Sequence, residues 1–160
     1  MSRKDHLLYM LKFNQQVMKK LLDDITEEES MVRGEHGQNH IRWLAGHIFR
    51  SDLHGLIILG IDDGSYEKYG KLFGMGSVIS DDPKAYPSMA EVRKMLYKSH
   101  DRLFETISKS SDADLEKQIT DGGNKRPAWQ ALTFLAMHEF YHAGQIVYIR
   151  KLLGRDRPFA

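Results

Sequence analysis

The sequence predicts an all-α protein, a four-helix bundle with a long connection between its second and third helices. Three observations carry this expectation. Apolar residues recur at steps of three and four through four long segments. Helix start and stop signals bracket those segments. No strand-like alternation competes with them. The chain has 160 residues, which suits a single domain over 1–160.

The first helix is expected over 3–25. Its stripe is Leu7, Leu11, Met18, Leu22 and Ile25, with Asn14 on the same line. A polar loop follows to Gln38. The second helix is expected from Asn39 or His40 to Leu59, with Asn39 as N-cap because its side chain can accept from the first free backbone N–H groups. Gly60 and Asp62-Asp63-Gly64 stop it. The connection over 61–87 carries Gly64, Gly70, Gly74 and Gly76. A connection of that length reads as a lid over an entrance or as a plain surface crossover.

The third helix opens at Ser88-Met89-Ala90-Glu91, a capping box, and its stripe is Met89, Val92, Leu96, Leu103 and Ile107. A short helical turn is expected over 112–118, and Asp121-Gly122-Gly123-Asn124 reads as a loop. The fourth helix is expected over 127–153. Pro127 suits a first helical position, where its missing N–H is not needed, and Gly154 suits the C-terminal stop.

Composition removes several function classes. Lys+Arg less Asp+Glu is 23 − 22 = +1, too small a surplus for a dedicated nucleic-acid binder. Cysteine is absent, which excludes disulfides, thiolate nucleophiles, cysteine-type zinc fingers and iron–sulfur clusters. The N-terminus lacks the apolar run of a signal peptide, and the longest apolar stretch, near Leu56 to Ile61, is far too short to span a bilayer. A cytoplasmic protein with neither nucleic-acid nor membrane partners is expected.

The chemistry concentrates in helix four. Ala131, Leu135, His138, His142, Gln145, Ile149 and Leu152 follow alternating steps of four and three, a seam expected to face the bundle interior. Its polar centre needs partners, because buried polar groups without them are destabilising. Histidines at i, i+4 lie one turn apart on one face and can reach one metal ion; a hydrogen-bonded or solvent-facing pair has the same spacing. His138-Glu139-Phe140-Tyr141-His142 also matches the H-E-x-x-H string of metalloproteases. No histidine follows His142, and Gly144 stands one place early for the longer motif, so a protease is not expected.

A third ligand must therefore come from another helix. His47 is the best placed, mid-helix beside Leu44 and Ile48. Three neutral imidazoles hold a divalent ion such as zinc or nickel and leave a position for water or substrate. Glu139 is expected either to orient a ligand or act as base on metal-bound water, or else to pair with an arginine between helices. Gln145 can hydrogen-bond within the seam. His54 can line the mouth, and His100 can serve as a fourth ligand, as a partner of one, or as a polar core residue. Arg50, one turn from His47, can meet an anionic substrate or sit solvated. Trp43 and Tyr141 read as core or interface residues. His6 and His36 read as exposed, and His40 as a surface or cap residue.

The segment Asn39-His40-Ile41-Arg42-Trp43-Leu44-Ala45-Gly46-His47-Ile48, followed by His138-Glu139-Phe140-Tyr141-His142-Ala143-Gly144-Gln145-Ile146, resembles the DinB/YfiT-like superfamily over essentially the whole chain. The resemblance implies an up-down-down-up bundle, often a homodimer, with a divalent metal, often nickel or zinc, on His47, His138 and His142. It implies metal-dependent transferases or isomerases that use low-molecular-weight thiols. Thiol transfer onto a small electrophilic molecule is the first expectation, with the thiol supplied as cosubstrate. Metal-assisted hydrolysis is the second, and a non-enzymatic binding bundle the third.

Overall fold

A computed structural model describes residues 2–34 and 37–156. The expected exposure of His36 lies outside the described residues. The four long helices are α1 (Arg3–Leu22), α2 (Ile41–Ile58), α5 (Met89–Lys109) and α7 (Ala128–Leu152). The connection after α2 holds two single-turn helices, α3 (Ser65–Lys68) and α4 (Gly70–Phe73), and a tight turn over Pro83–Ala85. A short α6 (Asp112–Glu116) follows α5.

Cross-helix contacts give the direction of each rod. Asn14 meets α7 at its middle, and Arg150 near the end of α7 reaches Leu21 near the end of α1, so these two run parallel. His47 meets His138 while Gly55 lies beside Leu135, so α2 runs against α7. Asp52 meets Ser99 and Gly55 lies beside Leu103, so α2 and α5 run together. The order is up-down-down-up.

Local chemistry explains most boundaries. Ser2 and Asp5 form a capping box for α1, and Ser88 and Glu91 form the expected one for α5. Helix α1 stops at Leu22 rather than at residue 25, because Asp24 leaves the helical path to pair with Arg150 at 2.5 and 3.0 Å. Ile25 still enters the core from the turn beyond. The N-cap of α2 is His40, not Asn39. Its Nδ1 accepts from the Trp43 N–H at 3.0 Å, and burial pushes the ring down to about 4, so it caps as a neutral imidazole and is no surface residue. Gly154, at φ 72°, takes the left-handed position after α7.

One element was not expected. Strands β1 (Gln118–Asp121) and β2 (Asn124–Pro127) pair antiparallel, joined by Gly122 and Gly123 at φ 56° and 81°. Two consecutive left-handed glycines make the tight two-residue turn that matches strand twist, so the expected loop is the tip of a hairpin.

The stripes of helices one and three are buried as their periodicity requires. Helix α7 is rotated from its expected seam. Leu135, His138 and Gln145 are half-buried and Leu152 is exposed, while Leu132, Ala136, Glu139, Ala143 and Ile146 face the core. This helix is apolar almost all round, so hydrophobicity alone could not orient it. Small residues at 131, 136 and 143 let it approach its neighbours closely, and its aromatics point outward.

Candidate metal centre

His47 projects from α2, and His138 and His142 from α7. The Nε2 atoms of His138 and His142 lie 2.9 Å apart, and those of His47 and His138 lie 3.4 Å apart. Ligand atoms of all three lie within 4.8 Å of one another. Nitrogens arranged tetrahedrally about 2.05 Å from one zinc ion stand roughly 3.3 Å apart, so the trio has the spacing of a shared ligand set.

Hydrogen bonds at the far side of two rings set which nitrogen faces inward. His47 Nδ1 donates to the Phe73 carbonyl at 2.7 Å, and His142 Nδ1 donates to Gln145 Oε1 at 2.6 Å. Each bond places the proton on Nδ1 and turns the Nε2 lone pair toward the other rings. Burial lowers the pKa of all three imidazoles, that of His142 to about 4, so they are neutral at pH 7 and able to ligate. Two or three inward lone pairs repel without a shared proton or cation between them. The residues therefore fit a divalent ion held by His47, His138 and His142.

The surrounding residues fix the rings. Trp43 stacks on His47 at 4.8 Å between centroids, and its indole N–H donates to Ser77 at 3.0 Å. Phe134 stacks on His138 at 6.0 Å, and the exposed Tyr141 meets His142 edge-on. Phe73 and Ser77 both belong to the long connection, which thereby packs against the centre. Gly46 makes this possible, since a Cβ there would overlap the Phe73 ring.

The remaining expected residues divide clearly. Glu139 is buried. Its Oε2 accepts from Asn14 at 2.9 Å and its Oε1 lies 3.0 Å from His100 Nε2, so its partners are Asn14 and His100 rather than an arginine. His100 Nε2 also lies 3.5 Å from Asp52, whose carboxylate accepts from Ser99 at 2.5 Å. Thus polar residues from all four long helices meet in the core. Burial alone would lower the His100 imidazole, but Asp52 and Glu139 outweigh it and raise it to about 9. Burial raises the Asp52 carboxyl, and His100 pulls it back. His54 contacts Asp121 at 3.3 Å and Tyr66, outside the trio. Sequence reasoning missed Asp52, Phe134 and the Phe73 carbonyl. The isolated carboxylate within the apolar α2 was the one available signal for the first.

The fold and the histidine trio together define a class of protein: the chain belongs to the DinB superfamily, whose model matches residues 10–146. Among solved structures it is similar to YfiT from Bacillus subtilis, "a probable metal-dependent hydrolase with an unusual four-helix bundle topology". The two share 14% identity over 98% of this chain and 91% of that one, with a TM-score of 0.71, which shows a common fold. No curated protein matches the chain.

Proposed function

We propose that this protein is a metal-dependent enzyme acting on small molecules, with zinc or nickel held by His47, His138 and His142. The observation that carries this is the convergence of three neutral imidazoles, two with their Nδ1 protons committed elsewhere. His47, His138 and His142 would hold a divalent ion, which would lower the pKa of a thiol or water and stabilise the resulting anion. The chain supplies the ring tautomers through Phe73 and Gln145, and Trp43 and Phe134 stack against His47 and His138.

Transfer of a thiol cosubstrate onto a small electrophile is the favoured reaction. Sulfur bonds to the electrophilic carbon, the leaving group departs with its electron pair, and the thiol proton passes to solvent. The thiol comes from outside because the chain has no cysteine. No carboxylate among the described residues bonds to the trio, and a thiol acidified by a metal needs no separate base. Glu139, for which a base role was one expected reading, is held by Asn14 and His100 in the core instead. Hydrolysis is the second reading, favoured by the likeness to YfiT. The outward apolar face of α1 and α7 supports a homodimer as the working assembly.

Elemental analysis of the purified protein tests the reading. About one divalent ion per chain, lost in His142→Ala, is expected. Retention of the ion after replacement of all three histidines excludes this centre. Metal-dependent thioether formation from a small thiol and an activated aryl halide supports transfer. Thiol-independent ester cleavage supports hydrolysis instead.

A further inference from the structure

A series of side chains runs beside the histidine trio and carries an uneven charge. Phe134, stacked on His138, lies under the guanidinium of Arg126 at 5.6 Å. Arg126 pairs with Asp121, which lies 3.3 Å from His54. His54 meets the Tyr66 ring at 5.3 Å, and Arg50 lies over that same ring at 3.5 Å. Arg50 is one helical turn, about 5 Å, along α2 from His47. The series thus links α7 to α2, the two helices that carry the trio.

Arg126 has its counter-ion in Asp121. Arg50 has none: no carboxylate among the described residues pairs with it. Its position is nevertheless fixed. Nε donates to the Tyr66 carbonyl at 3.1 Å and the guanidinium plane rests on the Tyr66 ring. Those two contacts hold the fork still and leave both terminal nitrogens without a protein acceptor among the described residues. A pre-oriented guanidinium of this kind matches the two oxygens of a carboxylate or phosphate. Phe134, 52% exposed and stacked on His138, offers the adjoining apolar surface.

We propose that Arg50 binds the anionic group of the substrate, so that the enzyme acts on small organic acids with an apolar body whose reacting atom lies at the histidine trio. The proposal rests on the metal-enzyme reading above and names its substrate class. Asp121 neutralises Arg126, so Arg50 is the unpaired cation of this group.

Binding to the metal-free protein tests this without any turnover, using benzoate and its neutral isostere benzamide as probes and amide chemical shifts as the readout. Benzoate is expected to bind at least tenfold more tightly than benzamide. Arg50→Gln abolishes that preference, and Arg50→Lys, which keeps the charge but not the fork, loses most of it. Zinc uptake by each variant reports separately on folding and on the histidine centre. Equal affinity for the two probes, or benzoate binding unchanged in Arg50→Gln, overturns the proposal. Failure of the unaltered protein to take up zinc overturns the metal reading, while the probe titration still reports on Arg50.

Discussion

The Nδ1 of His47 donates a 2.7 Å hydrogen bond to the main-chain oxygen of Phe73, 26 residues further along the chain. The bond ties a ligand candidate on α2 to a single helical turn in the long connection. It depends on Gly46, because the Phe73 ring occupies the space a Cβ would take. Gly46→Ala must push the ring away and drag its carbonyl from His47. Loss of an outer hydrogen bond to a ligating imidazole lowers metal affinity by roughly 10–100-fold. Competition with a chromophoric chelator measures it. Unchanged affinity in Gly46→Ala would show that the connection has no part in the centre.

Gln145 makes the matching bond to His142 at 2.6 Å, yet it is only half-buried. Gln145→Leu should therefore separate binding from folding. We expect metal affinity to fall by roughly tenfold or more. Thermal stability of the metal-free protein should change by no more than about 0.5 kcal/mol. A large loss of stability with intact affinity reverses the assignment.

Asn14 holds Glu139 from α1, donating to it at 2.9 Å and to the Ala136 carbonyl at 2.8 Å. Replacing Asn14 by Leu removes both bonds and leaves the buried carboxylate short of a donor. A destabilisation of about 2–4 kcal/mol is expected from urea unfolding. Combining it with Glu139→Gln should recover part of that loss, since a neutral amide tolerates the missing donor better than a charge. Strict additivity of the two changes argues against direct coupling.

The same cluster makes stability fall in mild alkali. His100 faces Asp52 and Glu139, with Asp101 beside it in sequence, and holds its proton up to about 9 against an ordinary 6.5. Folding therefore takes up a proton at His100 between about 6.5 and 9, while the burial-raised Asp52 takes up its own below about 7. The stabilisation from His100 is complete below about 6.5 and disappears as pH rises through about 9. The unfolding free energy of the metal-free protein, measured in urea, should decline across that window by an amount on the order of 3 kcal/mol. His100→Gln should flatten the decline.

How much was legible in the sequence depended on contrast. Leu7, Leu11 and Met18 stand out against charged neighbours, so helix one and its buried face could be read directly. The capping box at Ser88 fixed the start of the third long helix. The pairing of His47 with His138 and His142 was accessible because polar residues inside apolar runs demand a partner. Helix α7 gave less contrast: with Phe134, Met137, Phe140 and Tyr141 on its outer side, the expected seam was right at Ala131, His142 and Ile149 but strayed from the core at Leu135, Gln145 and Leu152. His40 and Phe73 were hidden for a different reason. A capping imidazole and a main-chain acceptor leave no trace in side-chain pattern. The hairpin was missed because its strands are four residues each and mostly polar, leaving only the Gly122-Gly123 pair as a signal.

That outer side of α7 leads to the last prediction. Tyr9 and Phe13 of α1 join Met137, Phe140 and Tyr141 of α7 around a groove of about 470 Å³, and these five side chains are 41–67% exposed. Phe13 and Phe140 stack across it at 6.0 Å. With about 200 Å² per large side chain, the exposed patch is on the order of 500 Å², the size at which apolar surface marks an interface. Phe134 and Tyr148 extend it along the helix, toward the roughly 800 Å² per partner of a stable complex. The stretch from Ala128 to Tyr148 carries one charged residue, Glu139, and that one is buried, so no charge on α7 opposes self-association there. A two-fold pairing of this face covers it with itself. Sedimentation at micromolar concentration should give a dimer, and Phe140→Glu, which places two like charges in the contact, should give a monomer that still binds metal. A monomeric parent protein at that concentration refutes the dimer and leaves the histidine centre untouched.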